Sequence, residues 1–290
     1  MHNMFLDPTG KHLLISLQNG DILYLHHKWK KPRMLTKAKG FLVESVGWNR
    51  ASNEATTKEI LLGSDRGAIY EVEIEPTEEA ILNLKKQVDK TFKLVHRLRE
   101  GSPVTGLRIE TFPSNNRKFF ILATTPSCIF TFIGTPNPAG GPMLYESIFQ
   151  SAASSGPFLE MPAELKSSMI GFFVPNPGKP ANSFAWLTSP GVYYGSFVFG
   201  SQAAGENVID AARLLPYPTL TASRTGVVAG RTPISGAQAP ATAAVPLSIA
   251  VTEFHFLLLY PDRVLAMCRL NEEVVLETYF PPVLRVFLSF

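Results

Sequence analysis

The sequence predicts an all-β fold: a WD40-like β-propeller or most of one, as an incomplete ring, with long irregular loops. Recurrence, spacing and turn chemistry predict it. One hairpin plan occurs five times, most fully in Thr252–Leu270, TEFHFLLLYPDRVLAMCRL. Phe254–Leu259 and Val264–Cys268 are apolar runs around Tyr260-Pro261-Asp262-Arg263. Pro fixes φ and Asp can bond its own backbone, so this tetrapeptide turns. The Val, Leu and Phe on either side suit a pleated sheet. The same plan fills Leu13–His27 with Asn19-Gly20, Ile60–Ile74 with Asp65-Arg66-Gly67, and Phe119–Ile133 with Thr125-Pro126-Ser127. It also fills Phe184–Phe199, turning at Ser189-Pro190-Gly191. The cores start at residues 13, 60, 119, 184 and 254, so successive starts lie 47, 59, 65 and 70 residues apart. A WD40 blade takes ~40–45 residues and a kelch blade about 50, with insertions going into loops. Spacing that never falls below one blade fits a propeller and not a solenoid of identical repeats.

With 290 residues, 45% hydrophobic, the chain can bury a large core. Radially repeated hairpins make residues 1–290 a single propeller region. A net charge of +3 is too small to imply a nucleic-acid partner. The two cysteines, Cys128 and Cys268, fall in second strands with no CxxC, so they read as small buried hydrophobes in a reducing, cytoplasmic setting. The start, MHNMFLDPTG, lacks a basic segment followed by an apolar one. No apolar run approaches the ~20 residues of a membrane span. Membrane contact is therefore expected to be peripheral at most.

In chain order, Asp7-Pro8-Thr9-Gly10 turns into the first hairpin, with room before it for one short strand. Lys28–Lys39, KWKKPRMLTKAK, holds six basic residues and no acid. It reads as a solvated loop between blades. Its rival role is an anionic-surface contact through Lys28, Lys30, Lys31, Arg33, Lys37 and Lys39. Phe41–Trp48 opens the next blade. Glu75–Lys93 is a short helix or a charged loop, with Ile81, Leu82, Leu84 and Val88 on one face. Leu94–Leu98 and Val104–Ile109 are strands, Ser114–Arg117 a turn, and Pro157–Pro162 an extended segment. Thr221–Ala244 is rich in Ala, Gly, Thr, Ser and Pro and is expected to be disordered. Val283–Phe290 has the pattern of another strand.

Chemistry is sparse. There is no GxSxG, P-loop, HExxH or GxGxxG motif. The six histidines show no metal-ligand spacing, and in the adjacent pair His26-His27 at least one ring should meet solvent. Glu71, Glu73 and Glu75 alternate and should share one solvated face. No acidic pair stands out as a catalytic dyad. Trp48, Tyr70, Phe130, Trp186 and Tyr193 are expected to pack between blades. The expected function is non-enzymatic, with no catalytic residue, cofactor or metal.

Six collinear segments resemble the N-terminal β-propeller of the vacuolar protein sorting-associated protein 18 family. They are MFLDPTGKHLLISL (4–17), LVESVGWN (42–49), ILLGSDRGAIYEVEI (60–74), FILATTPSCIFTFIG (120–134), FAWLTSPGVYYGSF (184–197) and LSIAVTEFHFLLLYPDRVLAMCRLNEEVV (247–275). LVESVGWN and TEFHFLLLYPDRV are the most specific, because generic propellers do not share them. The resemblance implies a core subunit of the class C tethering complexes HOPS and CORVET. These act peripherally at late endosome, vacuole and lysosome membranes in vesicle fusion. It implies as partners the other tethering subunits, SNARE proteins and Rab-linked subunits, engaged by the full-length protein. Family members continue into an α-solenoid and a RING-type zinc domain. Neither is present here, so the sequence reads as a fragment, an incomplete gene model or a shortened chain. Two alternatives share the hairpins: a generic WD40-like scaffold, and a peripheral propeller that binds anionic membrane through the basic run.

Overall fold

The structure, a computed structural model, describes residues 1–76, 89–98, 101–113, 115–137, 143–151, 158–161, 165, 168–176, 178–199, 208–218 and 245–281. Five four-stranded antiparallel sheets follow one another, and each runs in chain order from first strand to fourth. Blade 1 holds β1 (Asn3–Leu6), β2 (His12–Ser16), β3 (Asp21–His26) and β4 (Arg33–Lys39). Blade 2 holds β5 (Val43–Gly47), β6 (Glu59–Ser64), β7 (Ala68–Ile74) and β8 (Asp89–Arg97). Blade 3 holds β9 (Gly106–Phe112), β10 (Asn115–Thr124), β11 (Cys128–Gly134) and β12 (Leu159–Glu160). A short helix, α1 (Glu146–Ser151), lies between β11 and β12. Blade 4 holds β13 (Ile170–Phe173), β14 (Ser183–Leu187), β15 (Gly191–Phe197) and β16 (Ile209–Pro216). Blade 5 holds β17 (Ser248–Val251), β18 (His255–Leu259), β19 (Arg263–Cys268) and β20 (Val274–Tyr279).

Every predicted hairpin is the central strand pair of one blade. In blade 1, Leu14 faces Tyr24 and Ile15 faces Leu23. Gly20 closes that turn at φ +83, donating its amide to Leu17 O at 3.0 Å. A side chain there would strain the backbone.

Side chains alternate across each strand, so both faces of an interior blade are buried against neighbours. Four apolar clusters sit between the five blades. Leu14, Ile22 and Tyr24 of blade 1 meet Ile60, Leu62 and Val72 of blade 2. Leu61 and Ile69, on the opposite face of blade 2, meet Ile109, Ile121 and Phe130 of blade 3. Phe120 and Leu122 then meet Phe184 and Trp186 of blade 4. Ala185 and Leu187 meet Phe256 and Leu258 of blade 5. Among the described residues no fifth cluster joins blade 5 to blade 1, so the blades form an open arc. Trp48, Tyr70, Phe130, Trp186 and Tyr193 all belong to these clusters.

Four expectations need correction. The basic run is not all loop: Arg33–Lys39 is β4, the outer strand of blade 1, with Leu35 and Ala38 fully buried against blade 2. The turn expected at Ser114–Arg117 is, from Asn115 onward, the bulged start of β10. Glu71 and Glu73 are buried, because β7 is covered on both sides. Cys128 is fully buried, but Cys268 is only partly so. Residues 77–88 of the expected helix lie outside the described residues, and the chain from Asp89 is already strand β8. Thr221–Ala244 and Val283–Phe290 also lie outside them.

Candidate functional site

The first strands of blades 1 to 4, with Val245, Pro246 and Leu247 ahead of β17, line a central cavity of about 730 Å³. Its walls mix apolar residues such as Phe5, Val46, Trp48 and Phe172 with Glu44, Thr105, Arg108 and Ser168. The polar groups are engaged in ties along and between blades. His2 Nε2 lies 2.9 Å from Glu44. Ser45 Oγ donates to Val104 O at 2.5 Å. Ser168 Oγ accepts from Trp186 Nε1 at 3.0 Å, donates to Thr125 O at 3.0 Å, and lies 3.0 Å from Thr105 Oγ1. Trp186 can be fully buried because this hydroxyl takes its N–H.

Glu110 is the centre of a second tie. It is fully buried on β9 and holds three blades together. Arg50, which follows β5, reaches it at 3.2 Å, and Arg108 reaches it at 2.7 Å. The amide of Ala181, which leads into β14, donates to it at 2.9 Å. A buried carboxylate is tolerated when it is paired and hydrogen-bonded in this way. Glu71 accepts the amides of Leu144 and Tyr145 at 2.7 and 2.9 Å, which seats the segment before α1. Burial pushes its carboxyl pKa up, and the two amides oppose that shift. Sequence reasoning missed both carboxylates. The available signal was an acid in a strand flanked by apolar residues on both faces, IYEVEI and LRIETF.

At one end of blade 1, His12 Nε2 donates to Asn53 O at 2.6 Å and leaves Nδ1, 2.7 Å from Tyr24 OH, as an acceptor. His26 Nε2 donates to Glu54 O at 3.1 Å. These two rings seat the 51–57 loop of blade 2 on blade 1. His26 is buried and His27 exposed, as adjacency on a strand requires. Among the described residues no group of three or more His, Cys, Asp or Glu side chains is placed to hold a metal ion.

The six basic residues differ in what each side chain meets. Lys28 pairs with Glu54 and holds that carboxyl down at about 2, helped by Lys11 and His27. The Arg33 guanidinium lies 4.5 Å from the centre of the Trp29 ring. Lys30 and Lys31 are exposed just before β4, and Lys37 and Lys39 are exposed on it. The run is thus spread along the outer edge of blade 1. No helix among the described residues is long and apolar enough to cross a membrane.

Five meandering four-stranded sheets around a central cavity define a propeller arc. The family model for the Pep3/Vps18/deep orange beta-propeller domain matches residues 1–286. The chain belongs to that family. It is 33% identical to the "Vacuolar protein sorting-associated protein 18 homolog" of Danio rerio over 97% of its length. It is 30% identical to the "Vacuolar sorting protein 18" of Arabidopsis thaliana, again over 97%. A 91-residue stretch is 29% identical to the "Vacuolar membrane protein pep3" of Schizosaccharomyces pombe. The chain spans 27% and 26% of the length of the first two relatives. The buried ties thus belong to a Pep3/Vps18 propeller.

Proposed function

We propose that this chain is the protein-interaction platform of a HOPS/CORVET-type membrane-tethering subunit, acting in transport to the vacuole or lysosome. The observation that carries the reading is the Pep3/Vps18 family match over residues 1–286. The vacuolar sorting names of the relatives support the pathway. The polar side chains described along the cavity are tied to the scaffold, which favours a rigid, non-enzymatic platform with partner contacts on loops and outer edges. The proposed partners are other class C tethering subunits, with SNARE and Rab-linked proteins engaged through the full-length protein. The proposed location is the cytoplasmic face of late endosome, vacuole or lysosome membranes, held there peripherally.

A chimera tests this. The propeller of a full-length relative is replaced by residues 1–286 in cells that lack that relative. Recovery of vacuolar sorting, with co-purification of the other tethering subunits, is expected. A stable, expressed chimera that restores neither overturns the reading.

A second reading rests on the exposed lysines of blade 1, which would meet anionic lipid. Co-sedimentation with liposomes containing phosphatidylserine should fall with added salt and in Lys30→Glu with Lys31→Glu. Absent or salt-insensitive binding removes this reading.

A further inference from the structure

We propose that a pocket between blades 2 and 3 binds an acidic peptide of a partner protein. A carboxylate would meet Arg50 and Lys58, and a neighbouring apolar side chain would sit on Ile109 and Phe119. The pocket has a volume of about 430 Å³. Arg50 and Lys58 come from the connection between β5 and β6, and Ile109 and Phe119 from β9 and β10. Gly178, between β13 and β14, adds a wall from blade 4. Inner blades therefore supply every described wall. The pocket is one contact point of the platform proposed above, and rests on that reading.

Arg50 is anchored by one arm. Its Nη1 lies 3.2 Å from Glu110, which is fully buried and shared with Arg108. The Arg50 side chain is still 23% exposed. Its other guanidinium nitrogens have no acceptor among the described residues. The rest of a planar fork is thus left for a second carboxylate. A side chain already fixed by its scaffold loses little freedom on binding. Lys58 is held at φ +53, in the left-handed region. Thr56 Oγ1 accepts its amide at 2.9 Å, and Thr57 Oγ1 donates to its carbonyl at 2.8 Å. Glycine or asparagine would suit that backbone better. Strain of this kind gathers at binding sites, so a lysine kept there points to a use for its side chain. Among the described residues its ammonium pairs with no acid.

The rest of the lining selects the occupant. Ile109 is buried and Phe119 half-buried, so they offer an apolar floor. Pockets of this make-up, apolar with a few placed polar groups, suit one anchoring side chain. Glu59 is the single acid among the described lining residues. Arg50 and Lys58 outnumber it, and Lys179 stands exposed beside Gly178. The rim therefore attracts an acidic segment and repels a basic one.

Panning a phage-displayed random peptide library on the 290-residue chain tests this. Enriched peptides should place Asp or Glu beside Leu, Ile or an aromatic residue. A fluorescein-labelled synthetic copy of an enriched peptide should bind, more weakly as salt is added. Its affinity should fall about tenfold or more in Lys58→Glu, and in Thr111→Trp, which fills the pocket. Should either variant fail to fold, Lys58→Gly separates binding from stability. Glycine relieves the strained backbone, so the melting temperature should hold or rise while affinity still falls. Enrichment of no peptide, enrichment of peptides without an acid, or full affinity in Lys58→Gly overturns the proposal. Phosphatidylserine vesicles that bind through Lys58 while no peptide is enriched also overturn it and assign the site to lipid. In the chimera described above, Lys58→Gly should reduce recovery of sorting. Full recovery with and without that change would remove the pocket and leave the platform reading standing.

Discussion

Asp7 is 2% exposed, and its carboxylate accepts the amides of Thr9, Lys11 and His12 together with the Thr9 hydroxyl. Burial alone would raise its pKa. The four hydrogen bonds outweigh burial and hold it below the usual carboxylate range. Its stabilisation is therefore present above the unfolded value of about 4 and is lost as pH falls through the folded one. Asp7→Ala leaves three turn amides unserved and should cost about 2–3 kcal/mol in urea unfolding at neutral pH. His26 also has a folded pKa below its unfolded one. Burial depresses it first, then His27 and His12, against a bond to the Glu54 carbonyl. Among the described residues its Nδ1 has no acceptor for a proton placed there. The neutral ring is thus fully compatible with the fold above about pH 6.5, and stability declines as pH falls below that value. The melting temperature should drop as pH falls below about 6.5, and His26→Gln should flatten that slope. An unaltered slope in the variant would place the titration on another group. The Asp7 turn and the opposed faces of His26 and His27 were legible from local spacing. The carbonyls that His12 and His26 meet were not, because they come from a loop of the next blade. Glu71 misled for a related reason: alternation reports which residues share a face, but not that a neighbouring blade covers both faces.

Single strands show the same dependence on neighbours. The central hairpins were readable because strong turn residues separate two apolar runs. β4 was not, because it buries only Leu35 and Ala38 and its register with β3 shifts at a bulge. A charged outer strand looks like a loop until its partner strand is known. Gly106 could not be interpreted from sequence either. A Cβ there would lie 2.3 Å from Ile170 Cγ2 and 2.6 Å from Thr124 Oγ1. The glycine is what lets blades 3 and 4 approach beside the cavity. Gly106→Ala should cost about 1–3 kcal/mol, seen as a lower melting temperature with an unchanged far-UV spectrum. Ser168→Ala acts at the same junction by leaving the buried Trp186 indole N–H without its acceptor. A loss of about 1–3 kcal/mol and an altered near-UV signal from Trp186 are expected. Wild-type stability in that variant would mean that the indole finds another acceptor.

For the molecule as a whole, the recurring hairpins made the five-blade order legible. The four-strand width of each blade needed the structure, because first and fourth strands carry weaker patterns. An arc held by neighbour-to-neighbour interfaces resembles a linear repeat array more than a closed ring, so among the described residues an end blade has half the support of an interior one. Phe256 is fully buried in the interface between blades 4 and 5, 4.8 Å from the Tyr194 ring. Phe256→Ala should remove about 3–5 kcal/mol from that one interface. Ile121→Ala does comparable damage between blades 2 and 3, in the middle of the arc. The three tryptophans, Trp29, Trp48 and Trp186, lie in or beside blades 1, 2 and 4, so tryptophan fluorescence is blind to blade 5. In urea unfolding of the wild type, circular dichroism and tryptophan fluorescence should share one midpoint. In Phe256→Ala, circular dichroism should begin to fall first, as blade 5 opens while the tryptophans remain packed. In Ile121→Ala, both signals should move together to lower urea. Coincident curves in Phe256→Ala would mean that the loss of one interface is felt by all five blades at once, as in a closed ring and not an open arc.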